Sequence, residues 1–414
     1  MKKMFFAILM AATLVIGAGE FRTFANAETS NDDTQINAYI YGDQTSPSVA
    51  MGGADGRFFI AWTSKDQDGD GYGIYGLRHD SSGNAVGPEF EVNTYTAGNQ
   101  YDPSVAMDPN GNFVITWTSN SRHGDWRGIY GQRYDSTGNA VGSEFKVNTH
   151  NTGLKDRSSA AMDPQGNFVI TWSSHYQDGD GWGVYAKRYD SSGNAVGSEF
   201  KVNTTTEGQQ EGSSIAIDGD GNFVIAWSSR NQDDDGWGTY GQRYDSSGNA
   251  VGSEFEVKTY TPGDKHHHRT SIAMSPQGNS VIAWAGHQQG DEWWGVYGQF
   301  YNSYGTKVGQ EFKVNTSTIG TQFQPSVAMD ANGGFIVTWS SISPEGSGWG
   351  IYAQRYDSSG IAVGQEFKVN TVTTSTQSNP SAAIGSNGNA VIAWTSKDQD
   401  GDGYGLFMNI FPYK

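Results

Sequence analysis

Along the chain a run of apolar and β-branched residues ending in tryptophan returns seven times. Phe113-Val-Ile-Thr-Trp117 is the second copy, and the tryptophans are Trp62, Trp117, Trp172, Trp227, Trp284, Trp339 and Trp394. They stand 55, 55, 55, 57, 55 and 55 residues apart. A continuous apolar run of this length, bounded by Gly, Asn and Asp, reads as a strand buried on both faces. Three further strands surround it in each copy. In the second, Pro103 to Met107 leads in through the turn Asp108-Pro-Asn-Gly-Asn112. Ile129 to Tyr134 follows a Gly/Asp-rich loop, and Ala140 to Val147 follows the turn Asp135-Ser-Thr-Gly-Asn139. Four antiparallel strands in 55 residues is the size of one propeller blade.

The ends of the chain carry the same reading further. The last copy stops after its third strand, Tyr404 to Phe411, and the missing fourth strand stands at the other terminus. There Gln35-Ile-Asn37 matches Glu91-Val-Asn93, and Gly42-Asp-Gln44 matches Gly98-Asn-Gln100. Pairing the N-terminal strand with the C-terminal three closes a ring, which leaves only short, protected strand edges. The expected fold is all-β, a single seven-bladed β-propeller over 28–414 with four antiparallel strands per blade.

Composition adds a location and removes several chemistries. Lys2 and Lys3, the apolar run Phe5 to Ala18 and the small residues Ala25-Asn26-Ala27 read as a secretory signal peptide over 1–27, against an uncleaved N-terminal anchor. The run falls short of the roughly 20 apolar residues a spanning helix needs. There is no cysteine, so disulfides, thiol catalysis and Cys-based zinc sites are excluded. A formal charge of −18 argues against nucleic acid and anionic membranes as partners. The expectation is a secreted or cell-surface protein, monomeric and not inserted in a membrane.

The phrase Gly166-Asn-Phe-Val-Ile-Thr-Trp172, then Gln177-Asp-Gly-Asp-Gly-Trp-Gly-Val-Tyr-Ala-Lys-Arg-Tyr-Asp190, then Gly197-Ser-Glu-Phe-Lys-Val-Asn-Thr204 resembles a known tandem repeat. That repeat occurs in large exported bacterial proteins, often beside adhesion-type or calcium-binding modules. The resemblance covers essentially the whole chain after residue 27. It implies export and a surface or matrix role, and it brings no catalytic residue.

Candidate sites fall on one face of the expected ring. The turns after strands one and three are nearly uniform, while the loop after strand two and the linker between blades vary, and variable loops on a rigid scaffold are where binding usually resides. The loop after strand two holds acids six and eight residues beyond the tryptophan: Asp68 and Asp70, Asp178 and Asp180, Asp233 and Asp235, Asp400 and Asp402. Asp66 and Asp398 join them in the first and seventh copies. Clustered carboxylates on a Gly-rich loop suit calcium, although the series lacks the closing Glu of a helix–loop–helix calcium loop. A solvated Asp/Gly turn accounts for the same pattern.

An aromatic stands ten residues beyond the tryptophan at Tyr72, Trp182, Trp237, Trp294, Trp349 and Tyr404, with a glutamine five residues beyond it at Gln67, Gln177, Gln232, Gln289 and Gln399. An aromatic plate beside amides and carboxylates matches a sugar ring, and it equally matches a cap over the groove between blades. Arg78, Arg133, Arg188, Arg243 and Arg355 recur in strand three and are expected to pair with local acids. His266-His267-His268 sits in the linker with two extra residues. Nucleophilic or paired-carboxylate catalysis needs an asymmetric residue set, and the repeats display none. The expected function is therefore a non-enzymatic binding or adhesion propeller. Its partner would be a glycan or a cell-surface protein, with calcium-assisted loops. The alternatives are a structural or matrix scaffold and a carbohydrate-active enzyme.

Overall fold

The computed structural model describes residues 33–412, apart from 54, 121, 123–125, 231, 233–235, 258–268, 288–292 and 343–347. These residues form seven four-stranded antiparallel sheets. Blade one comprises Gln44–Met51, Phe58–Lys65, Tyr72–His79 and Phe90–Glu91, and blade two Gln100–Met107, Phe113–Asn120, Arg127–Tyr134 and Ala140–Lys146. Blades three to six open at Lys155, Gln210, Thr270 and Gln322. Blade seven combines Gln377–Ile384, Ala390–Lys397 and Tyr404–Phe411 with the N-terminal Thr34–Gln35, whose register sets Thr34 opposite Met408. The ring closes as the split repeat requires. Residues 1–27, expected to be a signal peptide, and the His266 to His268 run lie outside the described residues.

Strand two of each blade is apolar on both faces because each face meets a different neighbour. In blade one Phe58, Ile60 and Trp62 pack with Val391, Ala393 and Leu406 of blade seven. Phe59 and Ala61 point the other way, into a core with Phe113, Ile115 and Trp117 of blade two. Seven such cores fill the seven interfaces. All seven repeat tryptophans are at most 1% exposed, so they belong to the scaffold.

The first strands face the axis and touch one another in turn around it. A serine near the start of six of the first strands links the strand to its neighbour. Ser48 Oγ accepts the Val105 N–H (3.0 Å), Ser104 the Ala160 N–H (3.1 Å), Ser271 the Val327 N–H (3.0 Å), Ser326 the Ala382 N–H (3.1 Å) and Ser381 the Val49 N–H (3.1 Å). Adjacent first strands belong to separate sheets and share no ladder, so these hydroxyls satisfy backbone donors that would otherwise lack a partner.

Strand three carries the other regular device. Arg133 donates to the carbonyl oxygens of Ser191 and Ser192, and Arg188 to those of Ser246 and Ser247, each in the next blade. The expected pairing of these arginines with local acids is corrected: the acids are occupied in their own turns. Asp135 Oδ1 accepts the Thr137 hydroxyl at 2.6 Å and the N–H groups of Asn139 and Thr137 at 2.9 Å each, and that bonding holds its pKa down at about 2.

Candidate active site at the mouth of the central channel

Six of the seven first strands kink near their start, all but that of blade five. Register shifts between Thr45 and Ser48, Tyr101 and Ser104, and Asp156 and Ser159 mark β-bulges, and the same irregularity recurs in blades four, six and seven. The bulged residue turns through a left-handed conformation: Ser46 (φ 53°), Asp102 (52°), Arg157 (53°), Gly212 (66°), Gln324 (56°) and Asn379 (52°). Only glycine adopts this without cost, and bulges of this kind re-aim side chains. Here they aim at the axis. Together with Arg269 these residues line one cavity of about 280 Å³, with Pro47, Pro103 and Pro325 behind them. The cavity lies where the first strands begin, which is the face of the inter-blade linkers and the loops after strand two.

This ring of seven does not follow the repeat, and only arginine occurs in it twice. Ser, Asp, Arg, Gly, Arg, Gln and Asn converge where the surrounding scaffold is sevenfold. Blades two to five carry the charge. Arg127 Nη1 stands 3.0 Å from Asp156 Oδ2 and its guanidinium lies 5.4 Å from the Tyr101 ring centre. Arg157 Nη1 stands 3.4 Å from Glu211 Oε2. Asp102 Oδ1 accepts the Ser46 hydroxyl at 3.2 Å. Burial raises the pKa of Asp156, against the opposing pull of Arg127, and burial raises that of Glu211, with the Asp156 charge adding to it. The other side is neutral. Asn379 N–H and Ser340 Oγ both donate to Gln324 Oε1, each at 3.0 Å.

The residues singled out in the sequence lie farther from the axis. Tyr72, Trp182, Trp237, Trp349 and Tyr404 open strand three, opposite Lys65, His175, Arg230, Ile342 and Lys397. Trp237 is 8% exposed and the others are half-buried. Trp294 precedes its strand and sets its ring edge-on to Phe323 of the next blade at 5.8 Å. The aromatics thus surround the mouth at the radius of the third strand and do not enter it. The exposed aromatics on this face are Trp126, at 81%, Tyr176, Trp293 and Tyr41.

The glutamines and acids of the same loops meet partners within the scaffold. Gln67 Nε2 donates to Glu89 (2.8 Å), Gln177 to Glu199 (2.7 Å) and Gln399 to Asp33 (3.2 Å), while Gln232 donates to Glu254. The second oxygen of the carboxylate takes an N–H from the preceding linker, as Glu254 does from Thr204 at 2.7 Å. Asp70, Asp180 and Asp402 each accept the N–H of a linker glycine, Gly98, Gly208 and Gly42, at 3.1 Å. Asp178 and Asp400 turn inward onto Asn203 and Asn37, and Asp68 accepts the Asp70 N–H at 3.2 Å. Asp66 and Asp398 are left-handed turn residues. Among the described residues no group of three or more His, Asp or Glu side chains is placed to hold a metal ion. Asp233, Asp235 and Gln289 lie outside the described residues.

Sequence reasoning missed the channel set because its members look unremarkable one by one. The usable signal was there: residues in register with Ser46 differ in every copy but for a second arginine, immediately before a stretch that hardly varies. It also missed the asparagine of the Val-Asn-Thr phrase. Asn93, Asn148, Asn203, Asn315, Asn370 and Asn37 are buried, and each accepts the N–H of a strand-three residue at 2.6–2.8 Å.

No family model and no curated protein matches the chain, and its likeness to solved structures is one of fold. The β-propeller domain of the Trilobed protease from Pyrococcus furiosus superposes with a TM-score of 0.53 at 10% identity, over 90% of this chain and 94% of that one. An α-L-arabinanase from Penicillium chrysogenum, complexed with arabinobiose, gives 0.50 at 15%, over 75% and 92%. The polysaccharide lyase Uly1 gives 0.50 at 11%, over 95% of each. The chain is a seven-bladed β-propeller similar to these. The expectation of a non-enzymatic binding or adhesion protein is corrected here. It rested on the lack of an asymmetric residue set, and the channel mouth contains one, on an architecture that an arabinanase and a polysaccharide lyase share.

Proposed function

We propose that the protein is a carbohydrate-active enzyme that cleaves glycosidic bonds of a polysaccharide at the channel mouth. The observation that carries this reading is the convergence of Asp102, Arg157, Arg269, Gln324, Asn379 and Ser46 on one cavity of an otherwise repetitive molecule. Cleaving a glycosidic bond calls for a carboxyl group at the scissile oxygen in a site that controls its proton. Asp102 lines the cavity and is the group that meets substrate. Asp156, held by Arg127, and Glu211, held by Arg157, stand behind the lining as positioning residues. Gln324, Asn379 and Ser46 offer amides and hydroxyls of the kind sugar hydroxyls pair with. The leader-like segment 1–27 and the repeat's resemblance to exported proteins support a place outside the cell, where polymeric glycans are met.

The test is an assay on linear arabinan, polygalacturonate, alginate and dextran sulfate, reading new reducing ends and the ultraviolet absorbance of unsaturated products. Turnover of one polymer is expected, with Asp102→Asn lowering kcat by about 10²–10⁴-fold at an unchanged melting temperature. No product from any polymer, or full activity in Asp102→Asn, overturns the proposal.

A further inference from the structure

We propose that the channel mouth selects an acidic polysaccharide, holding a carboxylate or sulfate group of the polymer between Arg269 and Arg157; the inference rests on the enzymatic reading above. The chain has 26 Lys and Arg against 44 Asp and Glu, so two guanidiniums lining one cavity run against its composition. Arg157 meets Glu211 at 3.4 Å, and Arg127 pairs with Asp156 at 3.0 Å. Arg269 has no hydrogen-bond or salt-bridge partner among the described residues, although it lines the same cavity. Among the described residues the charges that act on it are Arg157 and Asp102, the former repelling it and the latter attracting it. Two like charges facing one cavity raise each other's energy, and an anion between them removes that cost.

Guanidinium is also the group whose planar fork matches the oxygens of a carboxylate or sulfate. The mouth is polarised as well, with amides and a hydroxyl from Gln324, Asn379 and Ser46 opposite the charged half. On the same face Trp126 and Tyr176, in the loops of blades two and three, are 81% and 64% exposed, and they flank the charged side. Aromatic plates outside an anion site suit an extended polymer.

Affinity electrophoresis and calorimetry with polygalacturonate (carboxylate), dextran sulfate (sulfate) and unmodified dextran and arabinan (neutral) test this. One acidic polymer should bind and the neutral ones should not, and which of the two binds names the anion. Arg269→Gln should weaken binding about tenfold or more, Arg269→Lys should retain part of it, and raising the salt to 0.5 M should weaken it about as much. Equal binding of neutral polymers, or binding indifferent to both Arg269 substitutions, overturns the inference. The two proposals fail separately. Cleavage of a neutral polymer without acidic binding removes the anion site and leaves the enzyme. Arg269-dependent binding of an acidic polymer that never yields product removes the enzyme and leaves the anion site.

Discussion

Five residues with a Cβ, Ser46, Asp102, Arg157, Gln324 and Asn379, hold the left-handed conformation that Gly212 holds in blade four. Left-handed backbone costs an ordinary residue about 1–2 kcal/mol, less for Asn and Asp. Asp102→Gly should therefore leave stability unchanged or raise it by up to about 1 kcal/mol while removing turnover, a split readable from chemical denaturation beside an activity assay. His79 is a second odd residue. It stands where blades two to six have Tyr134, Tyr189, Tyr244, Tyr301 and Tyr356, stacked on Phe58 at 4.7 Å and buried, and that burial lowers its pKa to about 4. The unfolded chain binds this proton near pH 6.5, so stability is intact above 6.5 and falls as pH drops towards 4. The loss is about 3 kcal/mol, and His79→Tyr should flatten the profile over that window. Below it the turn aspartates take over. Asp80, Asp135, Asp190 and Asp245 have lowered pKa values, so their contribution is whole above about pH 4 and is lost as pH falls through the folded values, about 2 for Asp135.

At the scale of elements, the loop after strand two and the linker act as one buckle. In blade three Glu199 receives the Thr149 N–H of the preceding linker and the Gln177 amide of its own loop. Gln177→Ala should lower stability by about 1 kcal/mol with KM unchanged; a raised KM at unchanged stability would make Gln177 a ligand contact instead. The strands themselves are tied more firmly. Trp227 is wholly buried between blades three and four, and Trp227→Ala should cost about 3–5 kcal/mol by denaturant titration. These devices recur in blade after blade, which is why the phrase that spells them could be read from the chain. Blade two shows how a device survives substitution: Arg122 pairs with Glu144 where blades one, three, four and seven set a glutamine.

Over the whole molecule the ring is closed by very little chain. Thr34 and Gln35 pair with Tyr404–Phe411, Ile36 enters the core between blades seven and one, and Asn37 accepts the Leu406 N–H at 2.8 Å while donating to Asp400 and Gln44. Removing residues up to 37 should cost about 3 kcal/mol or more, from one buried aliphatic side chain and one buried hydrogen-bonded amide. The melting temperature should drop, and protease should cut blade seven first. Closure also fixes the channel, because the last first-strand serine, Ser381, reaches back to Val49 of blade one. An opened ring should therefore lose activity before it loses strand content by circular dichroism.

The sequence by itself determined the ring. Strand period, turn chemistry, seven spaced tryptophans and a repeat split across the termini each describe local structure or its repetition, and local patterns survive being read in one dimension. It also separated the uniform turns from the variable loops. What it could not supply was the meeting of Ser46, Asp102, Arg157, Arg269, Gln324 and Asn379, which stand about one blade apart in the chain. They become neighbours only because each first strand starts beside the axis, and all of these but the strand of Arg269 bulge there. In one dimension those positions look like noise in a repeat. Closure turns that noise into a site, and attention to the acidic loops alone led to a binding protein where the channel supports an enzyme.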